Sequence, residues 1–328
     1  MEYINLYSFE SNVNVINSEK SAVIRDDMFK IGFKSGLYRS ATQFQSIRYQ
    51  SQAVKLSYDL LNAPKKDADS NPIVIMHGLM GNKMNNRTLA RLLRDKLNKD
   101  VYLLDMRNHG TSPHVKPHDY SSMSQDIVQF INDKQLHEPV LIGHSMGAKA
   151  GMECVLKNKD IASMLVCLDN APICSVPNGK YTQYISKLQE ICGNDTVQTL
   201  KEADQIMATV ESDKFIRGFL LTCLKRVQET DGKWQFQSKM PLDIMKDAII
   251  KGNISGWDLD SRTYRWCKPT LFIRGTDSAH IADEYIPTLG LFFPCFEIRD
   301  VKAGHYLNVT NAEECSDLIT EFVNRHSE

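Results

Sequence analysis

From residue 53 onward, short blocks of apolar residues alternate with longer stretches whose apolar positions fall three and four apart. Residues 53–61 alternate as a half-buried strand does, and 64–72 form a polar turn. Residues 73–76, Ile-Val-Ile-Met, make a short apolar run closed by His77 and Gly78, the pattern of a buried strand. Leu89, Leu92, Leu93 and Leu97 lie at helical spacing, and residues 101–104 predict the next buried strand, ending at Asp105. The alternation continues with a helix over 121–136, a strand over 140–142, a helix over 146–157 and a strand over 164–168. Strands alternating with helices predict a parallel sheet with right-handed crossovers, whose ligands sit at the carboxyl ends of the strands.

Between residues 172 and 267 the rhythm changes to longer amphipathic patterns, over 181–192, 195–211 and 213–228, which predict an inserted helical cap. Strand and helix then resume at 270–274 and 296–301, and 312–325 reads as a closing amphipathic helix. The predicted organisation is a leader over 1–52, a core built from 53–171 and 268–328, and a cap over 172–267. A length of 328 residues is about twice the usual domain, which by itself allows two domains. Core segments on both sides of the cap reduce this to one sheet closed by returning chain.

Composition narrows the partners more than the fold. Hydrophobic residues at 42% and charged residues at 24% describe an ordinary folded protein. The 39 basic and 40 acidic side chains leave a formal charge of −1, which excludes a whole-molecule field for nucleic acid or anionic lipid, so a ligand must be recognised locally. The eight cysteines all follow residue 153, form no CxxC pair and include members of apolar runs. Buried inert thiols in a reducing compartment, with no metal site, are expected. No run approaches the length of a transmembrane segment, and no secretory signal opens the chain. Residues 28–58 contain no acid but include Lys30, Lys34, Arg39, Arg48 and Lys55 among Ser, Gln and Phe, the composition of a mitochondrial transit peptide. The alternative is a solvated basic leader on a cytoplasmic protein, and the acids Glu2, Glu10, Glu19, Asp26 and Asp27 before it fit a presequence poorly.

The chemistry concentrates at the predicted strand ends. Gly143-His144-Ser145-Met146-Gly147 follows an apolar run and precedes a helix, the context of a nucleophile elbow, where flanking glycines relieve crowding in a sharp strand-to-helix turn. A serine hydroxyl needs a base, and His305, on a loop after the last predicted strand, is the candidate. His77, His114, His118, His137, His144 and His326 have weaker claims, in turns, beside prolines or near ends. The acid is a choice between Asp169, at the end of strand 164–168, and Asp277, after the strand that follows the cap. The usual acid would stand three residues after Gly275, where this chain has Ser278, and Asp169 is preferred. Backbone N–H groups of Met146, at the helix start, and Leu79, in His77-Gly78-Leu79-Met80-Gly81, are the expected oxyanion donors. The turn over 105–112 is expected to be scaffold.

Five ordered motifs, HGLMGNKMNNRTLARLL, DMRNHGTSPH, GHSMGAKAGM, LDNAP and LFIRG, followed by a late Gly304-His305, resemble the α/β-hydrolase-domain esterases of mitochondria and the fungal ethanol acetyltransferases. The resemblance covers roughly residues 53 to 328, and the acidic first 27 residues depart from it. It implies an α/β-hydrolase fold with an inserted helical cap, and a serine, aspartate and histidine triad that maps onto Ser145, Asp169 and His305. It further implies acetyl transfer from acetyl-CoA to ethanol, hydrolysis of acetyl-CoA and acetate esters as side activities, and a mitochondrial setting. Acetyl-CoA is then a substrate, no cofactor is needed, and a monomer acting on small molecules is expected. A pure carboxylesterase or thioesterase, and a non-catalytic hydrolase fold that only binds ligand, are the alternatives.

Overall fold

Three consecutive strands with no exposed residue form the centre of the molecule: β2 (Ile73–Met76), β4 (Val140–His144) and β5 (Met164–Leu168). Continuous apolar strands of this kind need cover on both faces. In this computed structural model, which describes residues 53–65, 71–175, 179–230 and 232–327, helices supply it. Among those residues the main sheet has seven strands in the order β1-β3-β2-β4-β5-β8-β9. The outer members are β1 (Tyr58–Leu61), β3 (Val101–Leu104), β8 (Thr270–Gly275) and β9 (Phe296–Val301). Only β1 runs antiparallel, against β3. The leader predicted for residues 1–52 lies outside the described residues.

The strand period of two sorts the core into two halves. Ile73 and Ile75 point to the face covered by α1 (Arg87–Leu97) and the final helix Ala312–His326. Val74 and Met76 point to the opposite face, covered by α2 (Tyr120–Asp133) and α3 (Met146–Lys157). The fold class and the ranges of 146–157, 164–168 and 296–301 agree with the sequence reading.

Among the described residues the cap contains four helices: α4 (Lys180–Cys192), α5 (Leu200–Met207), α6 (Lys214–Leu221) and α7 (Leu242–Ile250). They enclose a small core of their own, with Ile185, Leu188, Met207, Leu220 and Met245, which receives Met80 from the loop after β2. The helical cap holds one departure from the expected pattern. The helix predicted over 213–228 stops at Leu221, and Leu224–Gln228 (β6) pairs antiparallel with Trp234–Ser238 (β7). Leu224 and Phe236 face inward while Lys225 and Gln237 face out, and the Arg226 guanidinium covers the Trp234 ring at 4.4 Å. After β8 the chain adds α8 (Ile286–Phe292), which the pattern did not predict, then α9 (Leu307–Thr310) and, as α10, the helix Ala312–His326. No helix among the described residues is long and apolar enough to cross a membrane.

Where the chain leaves for the cap and where it returns, both backbones are fastened to α3. The fully buried Lys149 ammonium donates to the carbonyls of Ile173 at 2.6 Å and Ser255 at 3.4 Å. Burial pushes its pKa down to about 8.

Candidate active site

The turn from β4 into α3 sets Ser145 at φ +52° and ψ −112°, a conformation that L side chains rarely adopt. Its neighbours explain the two glycines. A Cβ on Gly143 would lie 2.4 Å from the Ala148 nitrogen, and one on Gly147 would lie 2.6 Å from the Met76 carbonyl oxygen. The turn is fixed by Ser145 N–H donating to the Leu168 carbonyl at 3.0 Å and by the Ser145 carbonyl accepting from Ala148 N–H at 3.0 Å. Ser145 is the residue before the helix, yet its hydroxyl makes no cap bond. It points to His305, with Oγ 2.8 Å from Nε2.

His305 stands between β9 and α9, on the sheet edge that the chain order predicts. Its Nδ1–H donates to Asp169 Oδ2 at 2.7 Å, so the unprotonated Nε2 faces the serine. The elbow also holds the histidine loop: His144 Nε2–H donates to the His305 backbone carbonyl at 2.8 Å. Asp169, fully buried at φ +53°, receives Gly275 N–H on Oδ1 at 3.1 Å and the Ser278 hydroxyl on Oδ2 at 2.5 Å. Asp277 points away, and its carboxylate pairs with exposed Lys302 at 2.5 Å. The structure therefore brings Ser145, Asp169 and His305 together and leaves Asp277 outside.

The two expected oxyanion donors flank the serine. Met146 N–H belongs to the first turn of α3, where helical N–H groups have no partner within the helix. Leu79 lies in the turn after β2, closed by Gly81 N–H on the Gly78 carbonyl at 3.0 Å. A Cβ on Gly78 would come within 2.8 Å of the His144 ring, so only glycine lets this turn approach the elbow. The turn after β3 braces it from behind. Met80 N–H donates to His109 Nε2 at 3.1 Å, His109 Nδ1–H donates to the Arg107 carbonyl at 2.9 Å, and Arg107 forks onto buried Asp126. The turn over 105–112 is the scaffold that the sequence suggested, and His109, which the pattern did not single out, is its contact with the oxyanion turn.

Two more residues escaped the sequence reading. Ser278 occupies the position where an acid was sought and instead donates a hydrogen bond to Asp169. His280 stacks on His305 with ring centroids 3.7 Å apart, and its Nδ1 lies 3.0 Å from Ser278 Oγ. Since the Ser278 proton goes to Asp169, His280 donates from Nδ1. His280 belongs to no motif, and only its spacing after Gly275 could have drawn attention to it.

Leu79, Tyr120, Ser145, Met146, Ile249 and His280 line a cavity of about 110 Å³. Burial acts on both ends of the His305–Asp169 pair: it raises the Asp169 carboxyl and pushes the His305 imidazole down to about 4. A lowered imidazole pKa keeps Nε2 unprotonated through the neutral range, and the base is lost only as pH falls through about 4. With p-nitrophenyl acetate, kcat/KM is expected to stay flat from about pH 8 to about pH 6 and to fall in acid below that. An inflection near pH 7 contradicts it.

Asp169, His280 and His305 are also the one group of potential metal ligands among the described residues, with ligand atoms within 4.8 Å of one another. Both nitrogens of His305 are engaged, by Ser145 and Asp169, so a cation would have to break those bonds. The arrangement suits chemistry without one: a hydroxyl within reach of a base, and a base oriented by a buried acid, beside the two segments that carry the expected oxyanion donors.

Residues 71–312 match the α/β hydrolase fold family. The chain belongs to that family. Among its relatives, the Saccharomyces cerevisiae protein named "Probable alcohol acetyltransferase" is 42% identical over 93% of this chain and 94% of its own. An sn-1-specific diacylglycerol lipase of Xenopus tropicalis is 32% identical over 84% of each chain. The solved structure of a marine microorganism esterase superimposes with a TM-score of 0.73 at 29% identity, covering 82% of this chain and all of that one. Within the α/β-hydrolase family these relatives span acyl transfer and ester hydrolysis, and this chain is an enzyme of that broad kind.

Proposed function

We propose that the protein transfers the acetyl group of acetyl-CoA to ethanol through an acetyl-Ser145 intermediate, with hydrolysis of acetyl-CoA and acetate esters as side reactions. The observation that carries the acyl group's size is the cavity at Ser145. At about 110 Å³ it is well below the roughly 300 Å³ at which drug-sized ligand sites begin. A two-carbon acyl group fits beneath the cap residues Ile249 and Ile254. The name of the yeast relative supports the same direction.

In the first half-reaction Ser145 Oγ attacks the thioester carbonyl carbon while its proton passes to His305 Nε2. The carbonyl oxygen gathers negative charge between the N–H groups of Leu79 and Met146. The C–S bond breaks, and His305 returns the proton to the departing sulfur. In the second half-reaction ethanol gives its hydroxyl proton to Nε2 and attacks the acetyl carbon. The bond to Oγ breaks, Ser145 regains its proton and ethyl acetate leaves. Asp169 holds the imidazole in the tautomer that both steps require. Water can take the place of ethanol, so the apolar lining from Leu79, Met146, Ile249 and Ile254 controls the partition by disfavouring water.

With acetyl-CoA and ethanol supplied together, ethyl acetate is expected as a major product beside acetate, measured by gas chromatography of one reaction. Acetate alone would reassign the chain to the thioesterases. Failure of the folded protein to react with a fluorophosphonate probe would reassign it to the ligand-binding hydrolase folds.

A further inference from the structure

A second cavity, of about 460 Å³, opens between the core and the cap hairpin. On the core side Asn82, Lys83 and Met84 line it, and on the cap side Lys225, Lys239 and Met240. Its charge is unbalanced. Lys83 is neutralised by Asp105 at 3.2 Å and by Asp59 at 3.6 Å. Lys239 donates only to the Thr222 carbonyl, at 2.8 Å, and neither it nor Lys225 pairs with a carboxylate among the described residues. Two uncompensated ammonium groups therefore rim a cleft in a chain whose formal net charge is −1. Two methionines stand in the walls below them: Met240 is buried, and Met84 is 51% exposed, its sulfur 3.9 Å from the Arg87 guanidinium. Flexible thioethers pack well against flat aromatic rings.

We infer that this cleft receives the phosphorylated adenosine end of the acetyl-CoA thioester, with the purine between Met84 and Met240 and the phosphates on Lys225 and Lys239. The inference rests on the acetyl-CoA reading above and adds the residues that recognise the nucleotide. One loop serves both cavities: Leu79 faces the serine, and Asn82 and Lys83 face the cleft. At 3.8 Å per residue, their Cα atoms are at most about 15 Å apart. A thioester whose acetyl group lies at Ser145 can then place its distant phosphates in the cleft, its pantetheine arm passing around the buried contact in which the Cys223 thiol donates to the Met80 carbonyl at 3.0 Å. The division of labour is consistent with the small catalytic cavity, which has room for the acetyl group and none for the nucleotide. Among the described residues Asp105 is the one carboxylate that lines the cleft, and Lys83 together with the N–H groups of Lys83 and Thr111 holds it.

The test compares acetyl-CoA with the acetyl thioester of N-acetylcysteamine, which has the reacting group and lacks the nucleotide. In wild type, kcat/KM should favour acetyl-CoA; in K225E/K239E that preference is expected to fall at least about tenfold, through KM, as lost ammonium–phosphate contacts require. K225Q/K239Q should show a smaller fall in the same direction, which separates loss of contact from the added repulsion. A preference that survives the double charge reversal overturns the inference. The outcome does not depend on the acceptor: if the thioester is only hydrolysed and the preference still falls, the ethanol reading fails and the cleft stands. If acetyl-CoA is no substrate at all, calorimetry with adenosine 3′,5′-bisphosphate decides. Binding lost in K225E/K239E supports the cleft, and no binding to wild type overturns it, as does binding of ATP that CoA cannot displace.

Discussion

Ser145→Ala is expected to lower kcat for acetyl-CoA and for acetate esters by on the order of 10⁴ to 10⁶, the range in which removal of a triad nucleophile falls. The size follows from the mechanism. Without Oγ no acetyl-enzyme forms, and what remains is binding plus the two backbone donors acting on direct attack by water. Because the three residues act as one unit, S145A/H305A should be no slower than S145A by more than a few fold. The substitution removes a single hydrogen bond, from Oγ to His305 Nε2, and leaves the backbone at 145 as it was. Initial rates, paired with a melting curve that shows the variant folded, check the expectation. A residual rate within tenfold of wild type would mean that another group attacks the carbonyl.

The second large effect separates two aspartates at the ends of neighbouring strands, Asp169 after β5 and Asp277 after β8. Asp169→Asn should lower kcat by about 10⁴, whereas Asp277→Asn should stay within about twofold of wild type. An Asn at 169 keeps the volume and can still accept Gly275 N–H on its oxygen. With its NH2 group toward His305, however, it would favour the tautomer whose Nε2 carries the proton, and such a ring cannot take one from the serine. The Ser278 hydroxyl would lose its anionic acceptor at the same time. Asp277 has only a surface pair with Lys302 to lose, a kind of interaction that contributes about 1 kcal/mol at most. The falsifying result is the reverse ranking, D277N inactive and D169N active.

The parts of the molecule that the sequence made legible are those where one physical requirement leaves a dense local mark. A strand buried on both faces must be apolar throughout, so β2, β4 and β5 stand out from their flanks. The elbow is legible because its crowding excludes a Cβ at both 143 and 147. Other parts leave little mark. The hairpin over 224–238 has one face toward the cap core and the other in water, and Leu-Lys-Arg-Val-Gln has the composition of a helix as much as of a strand. Its identity comes from pairing across a turn. Ser278 and His280 were illegible for another reason: their roles depend on the position of Asp169, more than a hundred residues earlier in the chain. Asp169 itself could be preferred over Asp277 because the spacing after Gly275 was wrong for an acid, and the same spacing identifies Ser278 once the carboxylate is in place.

The backbone at the elbow has a consequence for how the protein can change. Ser145 holds a left-handed conformation that costs a side-chain-bearing residue about 1–3 kcal/mol and costs glycine far less. On the mechanism proposed above, the fold would therefore be relieved at 145 by the residue that abolishes the reaction. Thermal stability and turnover pull in opposite directions there, so selection for a hardier chain alone would favour an inert one. With Ser145 as the nucleophile proposed above, only selection for the reaction would keep a serine there.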